Sequence, residues 1–296
     1  SERRPWLMSR LDADLRVRGV IARNAMALYE RAPGQSGEAK SVEPDFDAFI
    51  DHIQTAHLPH ALVVDCSCDP LVASRHVHWL ARGIHVVTAN IHALAGPLES
   101  YNQIFKERSL GKVHYGFEVT IGGGIPVHAM LRPLVVGGDA VTSVAAVLSS
   151  SMSFVLHRLR PREGSDSLAA LSLSEAVAEA AGRGMTEDDP LDDLCGRDSL
   201  KKVLVIAREL GLALSQQDVQ VEPVLESIGR LAREPPENPS PLDLAQFDEE
   251  MSRRVAEAAT RGCYLAYLCR ITGIEEAEPP AQGDDAPFRA GAGAGA

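Results

Sequence analysis

The chain has 296 residues, 45% hydrophobic and 24% charged, with a net charge of -12. That balance fits a globular protein with one large core or two smaller ones, and it argues against nucleic acid or an anionic membrane as the main partner. No apolar run reaches the roughly 20 residues of a membrane helix, and five cysteines, an odd number, fit reduced thiols inside a cell.

Leu15 to Ile21 alternates and is β-branched, which predicts a strand. Residues 34–44 are rich in Gly, Ser, Pro and charge and predict a loop, followed by an amphipathic helix from Asp45 to Thr55. Ala61 to Asp65 is a continuous apolar run of the kind found in a strand buried on both faces. A helix from about Pro70 to Arg82 and a strand from Ile84 to Thr88 complete a βαβ rhythm, which predicts a parallel sheet.

After Lys112 the pattern changes. A strand from Val113 to Ile121 runs into Gly122-Gly123-Gly124-Ile125-Pro126, where a helix opens. A strand from Val141 to Leu148 leads through Ser149-Ser150-Ser151-Met152-Ser153 into another helix. Helices follow over Ser174 to Arg183, Arg197 to Leu210 and Leu244 to Arg261, with Gly211 and Gly262 as caps of the last two, and then a strand from Tyr264 to Ile271. The resulting expectation is a Rossmann-like α/β domain at 1–111, lacking its first βα unit, and an α+β catalytic or dimerisation domain at 112–273. Residues 231–242 are expected as a Pro- and Glu-rich surface loop, and 274–296 as a flexible Gly/Ala/Pro-rich tail. A start at Ser1 without Met suggests a fragment or a processed product.

The chemically richest stretch runs from Glu187 through Asp188, Asp189, Asp192 and Asp193 to Asp198 and Lys202. Asp198 and Lys202 stand four apart and share a helix face. Such a cluster suits a small zwitterion and proton movement on it. Its plainer alternative is a solvated acidic loop followed by an ordinary helix ion pair.

Several segments together resemble the homoserine dehydrogenase family, especially the dehydrogenase half of bifunctional aspartate kinase–homoserine dehydrogenases. They are Leu15-Arg16-Val17-Arg18-Gly19-Val20, Val63-Val64-Asp65-Cys66, Gly83 to Asn90, Phe117 to Pro126, and the acidic run itself. The resemblance spans about residues 8 to 271 and implies reduction of aspartate semialdehyde to homoserine with a nicotinamide cofactor. It implies Glu187 as acceptor of the substrate amine, Asp198 as an acidic catalytic and substrate-binding residue, and Lys202 as a catalytic lysine. It also implies a Na+ or K+ site formed by the Glu118 carboxylate and the carbonyls of Ile121, Gly123 and Ile125. Thr88 and Asn90 fall at the cofactor junction, and Arg23 falls where a Rossmann domain reads the adenosine ribose, a position that suits NADP(H). A plain surface arginine is the alternative for Arg23.

Three departures bear on activity. The Gly-x-Gly-x-x-Gly turn that brings a pyrophosphate to a helix N-terminus is absent. The lysine that the family carries after Thr-Ala-Asn is Ile91 here, and His92 beside it is expected to point elsewhere. Beyond Gly273 the family's further strands and closing Gly-rich segment give way to an acidic, Pro-rich stretch, with Arg289 and its Gly-Ala run as a remnant. The smaller change is the Ser149 to Ser153 turn, which lacks the family's glycine.

Two functions stand open. One is a degenerate, non-catalytic structural or interaction subunit with no cofactor or a vestigial one. The other is an active NAD(P)-dependent homoserine dehydrogenase of threonine and methionine biosynthesis whose missing segments belong to residues not included in this chain or to a partner. A larger protein assembly or a homodimer is the expected partner, and the compartment is intracellular, either cytoplasm or an organelle such as chloroplast or mitochondrion.

Overall fold

The computed structural model describes residues 3–29, 40–54, 60–111, 113–160, 170–233 and 243–274. The first element, α1 (Arg4–Leu11), is an exposed helix that ends where Asp12 turns left-handed at φ 49°. β1 (Gly19–Ala22) and β2 (Ala25–Leu28) form a hairpin about Arg23-Asn24, and β2 pairs antiparallel with β3 (Lys40–Val42). The first strand therefore enters a separate antiparallel ribbon and not the parallel sheet. A tight reversal leaves no chain for the crossover that a parallel neighbour requires. The loop expected over 34–44 ends in β3, and its residues 34–39 lie outside the described residues.

The Asp45 carboxylate accepts from the amides of Asp47 and Ala48 and starts α2 (Phe46–Ile53), worth about 1 kcal/mol as a cap. α2 buries Phe49, Ile50 and Ile53. It lies so close to β1 that a Cβ on Gly19 would come within 2.8 Å of the Phe49 ring.

β4 (Leu62–Asp65), α3 (Pro70–Ala73), α4 (His76–Ala81), β5 (His85–Thr88), α5 (His92–Ala95), α6 (Leu98–Gly111) and β6 (Tyr115–Gly116) build the parallel sheet, in the order β4-β5-β6. Val63 lies opposite Val86, and Val86 opposite Tyr115. The helix expected over 70–82 is broken at Ser74, whose hydroxyl donates to the Leu71 carbonyl and competes with the helical ladder. β4 is not buried on both faces. Val63 and Asp65 are buried, Asp65 against His76 at the start of α4, whereas Leu62, Val64 and, on β5, Val87 are exposed.

The strand expected from Val113 to Ile121 shrinks to β6, because Thr120 Oγ1 donates back to the Phe117 carbonyl and closes a 3-10 turn over Glu118–Thr120. α7 (Val127–Val136) follows, then β7 (Val144–Ala146) and α8 (Ser150–Arg158), which is capped by the Ser149 hydroxyl on the Met152 amide. α9 (Leu173–Gly182) starts in a reciprocal Ser172–Glu175 capping box. α10 (Pro190–Leu194), α11 (Arg197–Glu209), α12 (Glu226–Arg233) and α13 (Asp248–Thr260) lead to β8 (Cys269–Ile271), antiparallel to β7. Gly211 and Gly262 end their helices with φ of 89° and 65°, as the sequence predicts. The segments 234–242 and 275–296 lie outside the described residues.

One hydrophobic cluster gathers α2, α4, α6, the parallel sheet and the apolar side of α11, including Val203, Ile206 and Leu210. The other gathers α8, α9, α12 and α13 around Met152, Leu173, Ile228 and Met251. Helix α11 thus carries side chains from the second half of the sequence into the core of the first. Among the described residues no helix is long and apolar enough to cross a membrane.

Candidate functional site

The acidic run separates into groups with different surroundings. Asp189 caps α10 by accepting from the Leu191 amide, with Pro190 in the first helical position. Asp192 pairs with Arg197 at 2.8 Å. Asp193 is buried, accepting from the Ser151 hydroxyl and, at 2.9 Å, from the Glu187 amide. Burial raises the pKa of the Asp193 carboxyl above the ordinary range, against the pull of the Ser151 hydrogen bond. Asp193 therefore ties the start of α8 to the loop that presents Glu187.

α11 opens at Gly196, which is left-handed at φ 73°. Asp198 and Lys202 are paired at 2.6 Å, and Lys202 Nζ also donates to the Leu148 carbonyl at 3.0 Å. The structure thus joins the predicted pair and fixes its lysine to the end of β7. Glu187 stands on the exposed rim. Desolvation first, then the charges of Asp198 and Asp193, raise its pKa, while Lys201 and Lys202 oppose the rise.

The facing wall comes from the C-terminal ends of β4 and β5. Asp65 accepts from the amide and hydroxyl of Ser67 and from His76 Nε2 at 3.0 Å, and His76 Nδ1 meets the Tyr115 hydroxyl at 2.9 Å. Asp65, His76 and Tyr115 are all buried. Asn90 donates to Ser67 Oγ and the Asp69 carbonyl and accepts from the His92 amide, while Thr88 Oγ1 accepts from the Asn90 amide. Both predicted cofactor residues are thus buried and engaged inside the protein, clamping two loops together.

The walls face each other. Burial and then the charges of Glu187 and Asp188 raise the pKa of the Cys68 thiol. Burial and then the charge of Lys201 lower that of His92, against Asp69 and Asp192. His92 accordingly lies within electrostatic reach of α10 and α11. Ile91, beside it, is partly buried against the hydrophobic cluster. Cys68 and His92 thus lie on one side of the approach of α5 to α11, and Glu187, Asp188, Lys201 and the Asp198–Lys202 pair on the other. Arg23 is not among these groups; it sits in the exposed β1–β2 turn.

The loop of the expected cation site is exposed from Gly122 to Pro126, and Gly122 and Gly123 are left-handed at 73° and 57°. The Glu118 carboxylate accepts from the Ala129 amide in the first turn of α7, and the Ile125 carbonyl accepts from the Val127 amide. Two of the four expected ligands are therefore already engaged within the chain. Among the described residues no group of three or more His, Cys, Asp or Glu side chains is placed to hold a metal.

Ser151, Asp193, Lys201 and His92 are contributors that residue spacing does not single out. Asp193 differs from Asp188, Asp189 and Asp192 in being buried, and the Lys201–His92 approach links segments more than a hundred positions apart.

Comparison with known proteins agrees with this architecture. Residues 6–118 match the model of the homoserine dehydrogenase NAD binding domain, and residues 126–289 that of homoserine dehydrogenase. The chain is 32% identical over 274 residues to a chloroplastic bifunctional aspartokinase/homoserine dehydrogenase of Zea mays, covering 90% of this chain and 29% of the relative. It is 33% identical over 279 residues to the bifunctional enzyme of Haemophilus influenzae, covering 92% and 33%. It thus spans about a third of the length of these relatives. Among solved structures, a Candida auris protein of unknown function aligns with a TM-score of 0.70 at 25% identity, over 90% of this chain and 75% of that one. The S. aureus homoserine dehydrogenase shares the fold with a TM-score of 0.59 at 16% identity, over 91% and 57%. The chain belongs to the homoserine dehydrogenase family.

Proposed function

We propose that this protein is a non-catalytic homoserine dehydrogenase homologue that keeps an amino-acid binding cleft and acts as a subunit of a larger assembly. The observation that carries the reading is Ile91. It lies inside a well-matched internal motif, and its side chain is partly buried against the core. A positioned acid–base group contributes typically about 10²–10⁴-fold to a rate, and an isoleucine supplies neither charge nor proton. The cofactor-facing positions support the same reading. Thr88 and Asn90 hold each other and the Ser67–Asp69 loop, so their polar atoms do not fit a role in holding NADP(H).

The opposite wall remains suited to a ligand. A carboxylate at Glu187 matches an ammonium group, and the Asp198–Lys202 pair presents a cation beside an anion to a small zwitterion. Bifunctional relatives are consistent with a role inside an assembly.

The test is NADPH oxidation by the full chain with aspartate semialdehyde, alongside calorimetric titration with homoserine. The expected result is no turnover, with homoserine binding that Glu187→Gln abolishes. Turnover within about a hundredfold of an ordinary homoserine dehydrogenase would overturn the reading. Ile91→Lys is the companion variant, because a gain of activity there would locate the defect at this position.

A further inference from the structure

Three histidines meet where the parallel strands begin, at the end of the sheet away from the cleft. His85 opens β5, His60 precedes β4 and His114 precedes β6. The His114 amide donates to His85 Nδ1 at 2.9 Å. That bond makes Nδ1 an acceptor, so the neutral ring carries its proton on Nε2. His85 Nε2 stands 3.4 Å from His60 Nδ1 and donates to it. The His85 ring centroid lies 5.5 Å from that of His60 and 5.4 Å from that of His114. The backbone closes the same junction, since the His85 amide donates to the Ala61 carbonyl and the Val86 amide to the His114 carbonyl, each at 2.9 Å.

We infer that His60, His85 and His114 form an acid-released clasp that joins the entrances of all three parallel strands. The hydrogen bonds of the clasp need His85 Nδ1 and His60 Nδ1 as acceptors. A proton on His85 Nδ1 sets an N–H against the His114 N–H, and a proton on His60 Nδ1 sets one against His85 Nε2–H. The groups that act on His85 are themselves histidines, one from each flanking strand entrance, so each protonation also repels the next. Burial, followed by the charges of His114 and His60, keeps the His85 pKa below its ordinary value. The unfolded chain therefore binds this proton more readily than the folded one. The stabilisation is complete above the unfolded histidine value of about 6.5 and is lost as pH falls through the folded value. The strands released are those that deliver Asp65 and Thr88 to the cleft, so acid loosens the cleft wall from its far end.

The test uses the full chain and two readouts. Nitrogen-15 NMR of the histidine rings should show His85 as the Nε2–H tautomer near neutral pH. Protection of the His114 amide from hydrogen exchange, corrected for intrinsic rates, should fall about tenfold between about pH 7.5 and pH 5. His85→Asn keeps an acceptor for the His114 amide but does not titrate, and it should flatten that pH dependence. His60→Asn, which leaves an oxygen acceptor for His85, should reduce the dependence in part. An Nδ1–H tautomer at His85, or a pH dependence unchanged in His85→Asn, would overturn the proposal.

Discussion

Gly196 and Tyr267 approach so closely that a Cβ on Gly196 would lie 1.9 Å from the Tyr267 hydroxyl oxygen, which itself donates to the Glu222 carbonyl at 2.8 Å. Gly196 is left-handed and opens α11, the helix that carries Asp198 and Lys202. Gly196→Ala therefore meets two penalties, an unfavourable backbone conformation and an overlap. Together they cost about 2–4 kcal/mol. Tyr267→Phe removes the nearest atom but leaves Val221 at 2.9 Å, so the double variant recovers part of the loss. Denaturant unfolding of the four proteins of this cycle checks the prediction. Equal stability of Gly196→Ala and the parent would refute it.

A second prediction concerns Asp65, whose environment contains opposing effects. Burial raises its pKa, but hydrogen bonds from His76 and Ser67 together outweigh burial and leave it below the ordinary value. A carboxyl depressed in the folded state stabilises fully above its unfolded value of about 3.9, and that contribution is lost as pH falls. His76→Ala leaves the buried Asp65 oxygen and the Tyr115 hydroxyl without this partner, at a cost of about 3 kcal/mol near neutral pH. Urea unfolding across the acid range should show Asp65→Asn less pH-dependent than the parent. A parent and variant with parallel profiles would exclude this role for Asp65.

The readable parts of the fold are local. Asp45, Ser149 and the Asp198–Lys202 pair act within four residues of themselves, so sequence spacing exposes them. The parallel rhythm of β4 and β5 is legible for the same reason. The antiparallel placement of β1 is not, because an isolated β-branched segment does not specify which sheet receives it. Leu62 and Val64 read as buried because they are apolar, yet their exposure depends on what covers that face. At the site, Asp193 and Lys201 gain their roles from Ser151 and His92, partners that only the folded chain brings near.

Glu209 and His128 supply a third prediction. Thr120 Oγ1 donates to the Phe117 carbonyl at 2.7 Å, so it accepts from His128 Nε2 at 3.2 Å. His128 Nδ1 and Glu209 Oε2 are then left without hydrogen-bond partners, 3.8 Å apart, while Glu209 Oε1 accepts from the Tyr101 hydroxyl. Glu209→Gln places an amide donor toward His128 Nδ1 and retains an acceptor for Tyr101. The expected outcome is a gain of about 1 kcal/mol, read as a raised thermal midpoint. A loss of stability would show that the carboxylate charge matters more than the missing hydrogen bond.

Lys201 offers the most direct test that the two walls form one cleft. Its charge lowers the pKa of Glu187 on the α10 side and that of His92 on the β5 side. Lys201→Met removes a single cation, so both pKa values must rise together. For Glu187, already raised by burial and by Asp198 and Asp193, the rise delays ionisation further, and an ammonium ligand then loses its partner at a higher pH. Binding of homoserine should therefore weaken on acidification sooner in Lys201→Met than in the parent, whereas Glu187→Gln should bind weakly at every pH. For His92, the loss of a repelling cation moves its titration toward neutral pH, visible as a displaced midpoint of its ring resonances. NMR titration of both groups in the same sample decides the matter. A shift in one group alone would mean that Lys201 faces only one wall.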